Sequence, residues 1–336
     1  MPPRVYQGRS AFEFRPPGGG CVTLCPLGSA RSFVWSRYNE ALAENSNAGT
    51  IGRLIDEYFR SPKFKELAPE TQKSYERYRK AGKIGLDAAF SKMRCDALEP
   101  KHVRRYMDLM GARINARTGA PAKALANRHL SLLSTICGWG RQRGYIATNP
   151  CDGVDKYSER ARDRYVTDDE YFALYKMAPV HIQATMEIAY LCAARLSDVL
   201  ALTTFQIREE GLFIRQGKTG KKQIKSWSPR LKEAVEMCRS IAPPGTTRVI
   251  CNKSGRGYTR DGFESAVTRL KNSLKEKGVI INWTMHDLKA KSISDYSGDK
   301  LKFSGHSSQR MLSVYNRKIE IVETLGSNEE ADGKKS

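Results

Sequence analysis

The stretch FSGHSSQRMLSVYNRK, residues 303–318, sets an imidazole at His306 and a phenol at Tyr315, nine residues further on. A phenol can act as a nucleophile, and an imidazole can move the proton it gives up. On one unbroken helix nine residues turn the chain by roughly 900°, so the two side chains would face opposite ways. If both serve one site the backbone must bend, and the sequence allows a bend at SSQRMLS. Other groups capable of chemistry stand upstream. CAARLSDVLALT puts Arg195 just before a helix that Ser197 is expected to cap, with Asp198 as an ion-pair partner. QGKTGKK puts Lys218 at the tip of an expected β-hairpin. MHDLKAK puts His286 and Lys289 at i and i+3, on one helical face. Singly, each has an ordinary explanation: an Arg195–Asp198 pair, a solvated turn lysine, a structural histidine, a half-buried core tyrosine. Together, in this order, they make a shared site the better explanation.

The elements that must position these groups are mainly helical. Residues 1–45 read as a small β unit, with AFEFR and CVTLC alternating around a PPGGG turn, followed by a helix in SFVWSRYNEALAE. From 50 to 160 the pattern is helical throughout. TIGRLIDEYF places Ile51, Leu54, Ile55, Tyr58 and Phe59 on one stripe behind Thr50 as N-cap. PETQKSYERYRKAG, EPKHVRRYMDLMGARI and AKALANRHLSLLSTICGWGRQRG follow, the last ending with Gly144 as its C′ residue. NPCDGVDKYSERARDRYVT reads as a connector. Residues 166–320 are mixed: helices in DDEYFALYKMA and IQATMEIAYLCAA, and a hairpin in GLFIRQGKTGKKQIKSWS. A helix opened by Ser228 and Pro229 follows, and another ends at Gly278. The fold class expected is α+β, mainly α with small β elements.

Bulk properties narrow the partner. Lys and Arg exceed Asp and Glu by 21 charges in 336 residues, with a pI near 9.7. An excess of that size implies a polyanion, with nucleic acid ahead of an anionic membrane because the basic residues are spread over the whole chain. Charge alone does not separate DNA from RNA. No apolar run approaches the roughly 18 residues of a membrane span, and MPPRVYQGRS has no signal-peptide core. The eight cysteines are therefore expected as thiols in a reducing cytoplasm. Cys21 and Cys25 form the one close pair, with no second pair or histidine nearby, so no zinc site is expected. Walker A and Rossmann glycine signatures are absent from the sequence, and no cofactor or metal is expected.

These motifs resemble the tyrosine recombinases, the phage-integrase family. That family carries an Arg before a Ser/Gly–acidic–Leu/Val helix start, a hairpin Lys, a His-x-x-Arg box, a Gly-His box, and a Tyr about nine residues later. All five occur here in order, at Arg195, Lys218, His286 with Lys289, Gly305–His306 and Tyr315. The likeness covers about residues 50–320. Two positions depart from it: Lys289 stands where the family has Arg, keeping the charge without the forked geometry, and Ala193 stands where Gly is usual.

The resemblance implies an arm-type DNA-binding unit in 1–47 and a helical, SAM-like core-binding domain in 48–157. A recombinase catalytic domain in 158–325 and a disordered tail in 326–336 would follow. It implies a site-specific recombinase that cuts and rejoins double-stranded DNA at attachment-type sites through a 3′-phosphotyrosyl bond, without metal or ATP. Tyr315 would be the nucleophile. Arg195 would clamp the phosphate with Asp198 orienting it, Lys218 would protonate the leaving 5′-oxygen, and His306 would bind a phosphate oxygen. His286 would assist proton transfer, and Lys289 would fill the second Arg position. The expected assembly is a homotetramer on two duplexes with a Holliday-junction intermediate, aided by accessory DNA-bending proteins. It would integrate or excise a prophage or other mobile element. The rival expectation, resting on Lys289, is a non-catalytic DNA-binding accessory protein on a degenerate recombinase scaffold. A type IB topoisomerase would share the nucleophile, but the modest length and the N-terminal β unit speak against it.

Overall fold

In AFEFR the phenylalanines alternate with polar residues, and that alternation builds the first sheet. The computed structural model describes residues 1–16, 20–46, 49–116, 119–160 and 162–319. It divides the chain into two units, 1–160 and 161–336. Strands β1 (Val5–Gln7), β2 (Ala11–Phe14) and β3 (Val22–Pro26) form an antiparallel sheet with β2 in the middle. Phe12 and Phe14 turn inward onto Leu24, Cys25 and the Val34, Tyr38 and Ala41 face of α1 (Arg31–Ser46). Strand β1 is an addition to the sequence reading, while part of the PPGGG turn lies outside the described residues.

The remaining helices of this unit enclose a second apolar cluster. They are α2 (Ile51–Arg60), α3 (Pro62–Lys65), α4 (Pro69–Arg79), α5 (Leu86–Phe90), α6 (Pro100–Gly111) and α7 (Lys123–Arg141). The expected stripe of α2 is buried in full, and the Thr50 hydroxyl accepts the Arg53 N–H as an N-cap does. Helix α7 passes so close to α2 that a Cβ on Gly140 would come within 2.5 Å of Leu54 Cδ1. Gly144 does adopt φ +75°, but α7 is capped by Gln142, so Arg143 occupies C′ and Gly144 lies one residue beyond it.

The second unit is built around α9 (Val180–Leu191), a largely buried helix sunk in the largest core cluster among the described residues. Helix α8 (Asp168–Tyr175) precedes it, opened by a reciprocal Thr167–Glu170 capping box. Helix α11 (Pro229–Ile241) starts as expected, with the Ser228 hydroxyl accepting the Leu231 N–H. Helix α12 (Arg260–Glu276) ends just before Gly278, at φ +81°. Between α9 and α11 stand α10 (Leu196–Leu200) and an antiparallel hairpin of β4 (Gly211–Arg215) and β5 (Lys222–Ser226). Three helices close the described chain: α13 (Asp287–Asp295), α14 (Lys300–Ser304) and α15 (Gln309–Ser313).

The architecture is mainly α with two small antiparallel sheets among the described residues. A second expectation is overturned, beside that of Gly144. Ser197 does not cap α10 but sits inside its first turn; the N-cap is Arg195, whose carbonyl accepts the Asp198 and Val199 N–H groups at 2.9 and 3.0 Å. No helix among the described residues is long and apolar enough to cross a membrane. The tail 326–336 lies outside the described residues.

Candidate active site

Helix α9 gives way to α10 through Ala193, which is buried and holds a left-handed φ of +49°. This is the position where glycine is usual in the family resembled. The turn delivers Arg195, whose side chain is only 13% exposed. Its Nη1 donates to Gln216 Oε1 at 3.0 Å and lies 3.9 Å from Asp198 Oδ2. Asp198 Oδ1 in turn accepts the Gly217 N–H at 3.0 Å. Asp198 therefore grips the hairpin turn more closely than it grips Arg195, and the amide of Gln216 is what hydrogen-bonds the guanidinium. Lys218 follows in that turn, exposed, with no hydrogen bond or ion pair among the described residues.

Helix α13 brings the second pair. His286 stands at its N-cap and Lys289 in its first turn. Lys289 is 1% exposed, and its Nζ has no hydrogen-bond partner among the described residues. Desolvation and the nearby Arg195 and Lys225 lower its pKa to about 7, with Asp198 opposing them only in part. Desolvation also lowers the pKa of His286, helped by Arg317, Arg195 and Lys289 and opposed by Asp287.

The His306–Tyr315 stretch bends as the shared-site reading requires, though mostly ahead of SSQRMLS. Helix α14 ends at Gly305, in the left-handed conformation at φ +70°. Ser308 then caps α15, which takes up 309–313 of that heptapeptide. His306 is buried, with Nδ1 at 3.0 Å from Ser304 Oγ and Nε2 without a partner among the described residues. Desolvation, Lys289, Arg195 and Lys221 push its pKa down to about 4, so the ring is neutral at pH 7. The ring of Tyr315 stacks on His306 with centroids 4.7 Å apart, and its hydroxyl is 3.4 Å from His286 Nε2. Tyr315 also packs against the small cluster of Ala193, Ile293 and Leu312.

Four residues that the sequence reading passed over complete the geometry. Ser294 Oγ donates to the Tyr315 carbonyl at 3.2 Å and accepts the Arg317 N–H at 2.7 Å. Arg317 Nη1 reaches Asp287 Oδ1 at 2.8 Å, so the residues just after Tyr315 are pinned to α13. Lys225 donates to the Phe303 carbonyl, tying β5 to α14. Gln216, buried, is the fourth. None of the four carried a sequence signal, though Asp287, which holds Arg317, stands beside His286 in the HDLK box. Thus Arg195, His286, Lys289, His306 and Tyr315 converge, while Lys218 stands two residues beyond the anchored Gln216.

No protein-family model matches the chain. In sequence it is 23% identical over 295 residues to the integrase of Enterobacteria phage 434, covering 82% of this chain and 78% of that one. It is 24% identical over 224 residues to the integrase of Escherichia phage HK022, a match that spans 61% of either protein. In structure it is similar to a lambda integrase dimer bound to a COC′ core site. The TM-score is 0.68, with 20% identity and coverage of 97% of this chain and 99% of that one. A lambda integrase tetramer bound to a Holliday junction gives a TM-score of 0.67 at 20% identity, covering 96% and 98%. The chain has a tyrosine-recombinase fold. The curated relatives named above are phage integrases, and a Tn1549 transposon integrase shares the fold with a TM-score of 0.62 at 15% identity, covering 84% of this chain and 98% of that one.

Proposed function

We propose that the chain is a site-specific DNA recombinase that cuts and rejoins duplex DNA through a phosphotyrosyl intermediate at Tyr315. The observation that carries this reading is a pair of buried nitrogens without partners among the described residues, Lys289 Nζ and His306 Nε2, with the His306 ring stacked on that of Tyr315. Buried polar atoms are normally satisfied, so two unpaired ones beside a phenol suit an anion that supplies acceptors. Arg195 adds a third donor group. In the reaction, the Tyr315 oxygen attacks phosphorus as its proton passes to neutral His286, and a 3′-phosphotyrosyl bond forms. The bond from phosphorus to the 5′-oxygen breaks, and Lys218 protonates the departing 5′-oxygen to give the 5′-hydroxyl. Attack by a 5′-hydroxyl on the same bond reverses these steps and rejoins the strand.

The basic surface is read as the DNA-facing one, with 1–47 as an arm-type unit, 48–157 as a core-binding domain and 158–325 as the catalytic domain. The likeness to the lambda tetramer on a Holliday junction supports a homotetramer acting on two duplexes. Integration or excision of a prophage or related element is the corresponding role. The accessory-protein reading is weakened by the burial of Lys289 among the site residues, since a decayed position would have no reason to keep an unpaired charge there. The test is a nicked duplex bearing the chain's own attachment-site core. Wild type should become covalently attached to it, and Tyr315→Phe should bind it without forming an adduct. An adduct retained in that variant, or mapped to Tyr296, refutes the assignment.

A further inference from the structure

Helices normally leave their last carbonyls to water or to a cap. At the C-terminal end of α14 three successive carbonyls are instead taken by side chains of one hairpin. Gln223 Nε2 donates to Lys302 O at 2.7 Å, Lys225 Nζ to Phe303 O, and Gln216 Nε2 to Ser304 O at 3.1 Å. Gln216 differs from the other two because its other end is also engaged. Its Oε1 accepts from Arg195 Nη1 at 3.0 Å and from the Thr219 hydroxyl at 3.1 Å. One buried amide thus touches the guanidinium, the turn holding Lys218, and the residue two before His306. The fit is tight: a Cβ on Gly305 would lie 2.5 Å from Gln216 Nε2 and 2.8 Å from Gln223 Oε1. Glycine at this point of the Gly-His box is demanded both by φ and by these glutamines.

We infer that Gln216 is a positioning residue that sets Arg195 and the Lys218 turn in one register with His306. This rests on the recombinase reading above. The amide has no charge and no proton to give at neutral pH, so its contribution is orientation. Its two ends make the orientation mutual: moving Arg195 away strains the hold on Ser304, and releasing the turn frees the acceptor that holds the guanidinium. A purely structural clamp would be served equally well by Gln223 and Lys225, which tie β5 to α14 without touching Arg195.

The test uses single-turnover cleavage by the full chain on the nicked attachment-site duplex. A second duplex is identical except for sulfur in place of the bridging 5′-oxygen, because a thiolate leaves without needing a proton. Gln216→Met keeps the volume and removes all three hydrogen bonds; Gln216→Glu keeps the acceptor for Arg195 and Thr219, loses donation to Ser304 and adds a negative charge against the guanidinium. We expect Gln216→Met to cleave the oxygen substrate about 100-fold more slowly, in line with the cost of a small misplacement. On the sulfur substrate the deficit should shrink to about tenfold, since the part acting through Lys218 disappears and the part acting through Arg195 stays. Gln216→Glu, which breaks the tie to Ser304 while keeping the acceptor for Arg195, should also be slow on the oxygen substrate, by about tenfold or more. An equal deficit on both substrates, or Gln216→Glu at the wild-type rate, overturns the inference. So does wild-type cleavage by Gln216→Met. A wild-type chain that cleaves neither duplex refutes the recombinase reading itself, an outcome distinct from these.

Discussion

Helix α13 buries two lysines, Lys289 and Lys291, each 1% exposed and set two residues apart, so they leave the helix on opposite sides. Lys291 is satisfied: its Nζ pairs with Asp168 at 2.6 Å and Asp295 at 2.9 Å, and it lies over the rings of Tyr165 and Tyr190. Burial opposes its charge, but the two carboxylates outweigh burial and raise its pKa. Lys289 has the same burial and faces Arg195 and Lys225, with a pKa of about 7. The two sides of one helix thus separate two uses of a buried charge. Lys291 ties α13 to α8 at no electrostatic loss. Lys289 is held in an environment that penalises its charge, and such sites persist where a ligand supplies what the protein withholds.

The largest effect that can break or sharpen this contrast is on rate. Removing one donor to a developing oxyanion costs about 10²–10³. Lys289→Ala should slow single-turnover cleavage by about that factor with DNA affinity little changed. Lys289→Arg should retain substantial activity, since it restores the residue usual in the family resembled. Wild-type cleavage by Lys289→Ala would remove the residue from the site.

The next effect is on pH dependence. In the free protein Lys289 is charged below about pH 7 and neutral above it. With DNA below saturation, cleavage reports the free protein's ionisation, so the rate should fall about tenfold per pH unit above that point. Lys289→Arg, whose guanidinium stays charged, should lose this limb. Stability carries the opposite sign. Between about pH 7 and 10 the unfolded chain binds the proton that folded Lys289 does not, so this residue makes stability rise with pH across that window. A pH–rate profile shared by wild type and Lys289→Arg would contradict the assignment.

A smaller effect tests whether the site carries a backbone cost as well as an electrostatic one. Ala193 is left-handed and buried against Ile293 and Leu312. Relieving that conformation should outweigh the lost methyl contact, so Ala193→Gly should stabilise by about 0.5–1 kcal/mol. The urea midpoint checks it, and a downward shift would mean that packing dominates.

Much of this was legible in residue types and spacing. The stripe of α2 and the caps at Thr50 and Ser228 followed from local chemistry, which tertiary packing left alone. The bend between His306 and Tyr315 was demanded by helical geometry, but its place was not, because Gly305 breaks the chain by its own conformation before the serines begin. Ser197 had the right side chain for a cap and lost the position to Arg195, since the turn at Ala193 fixes where α10 starts. Gln216 was invisible because a lone amide in a hairpin has no pattern; its meaning comes from Arg195 and Ser304, which are remote in sequence. The same holds for one of the two lysines. Spacing from His286 marks Lys289 in HDLKAK, but nothing local shows that Lys291 is buried and paired, because Asp168, which satisfies it, lies in α8.

The most direct test is to make Lys289→Met and Lys291→Met side by side and to measure urea stability and single-turnover cleavage for both. Replacing an unpaired buried charge by an apolar side chain of similar size should stabilise Lys289→Met by about 1–4 kcal/mol while its cleavage falls about 10²–10³. Breaking a buried pair should destabilise Lys291→Met by about 3 kcal/mol, with cleavage near the wild-type rate under folding conditions. If Lys289→Met instead loses stability and keeps its rate, Lys289 is a structural residue and the phosphate-binding role assigned to it is wrong.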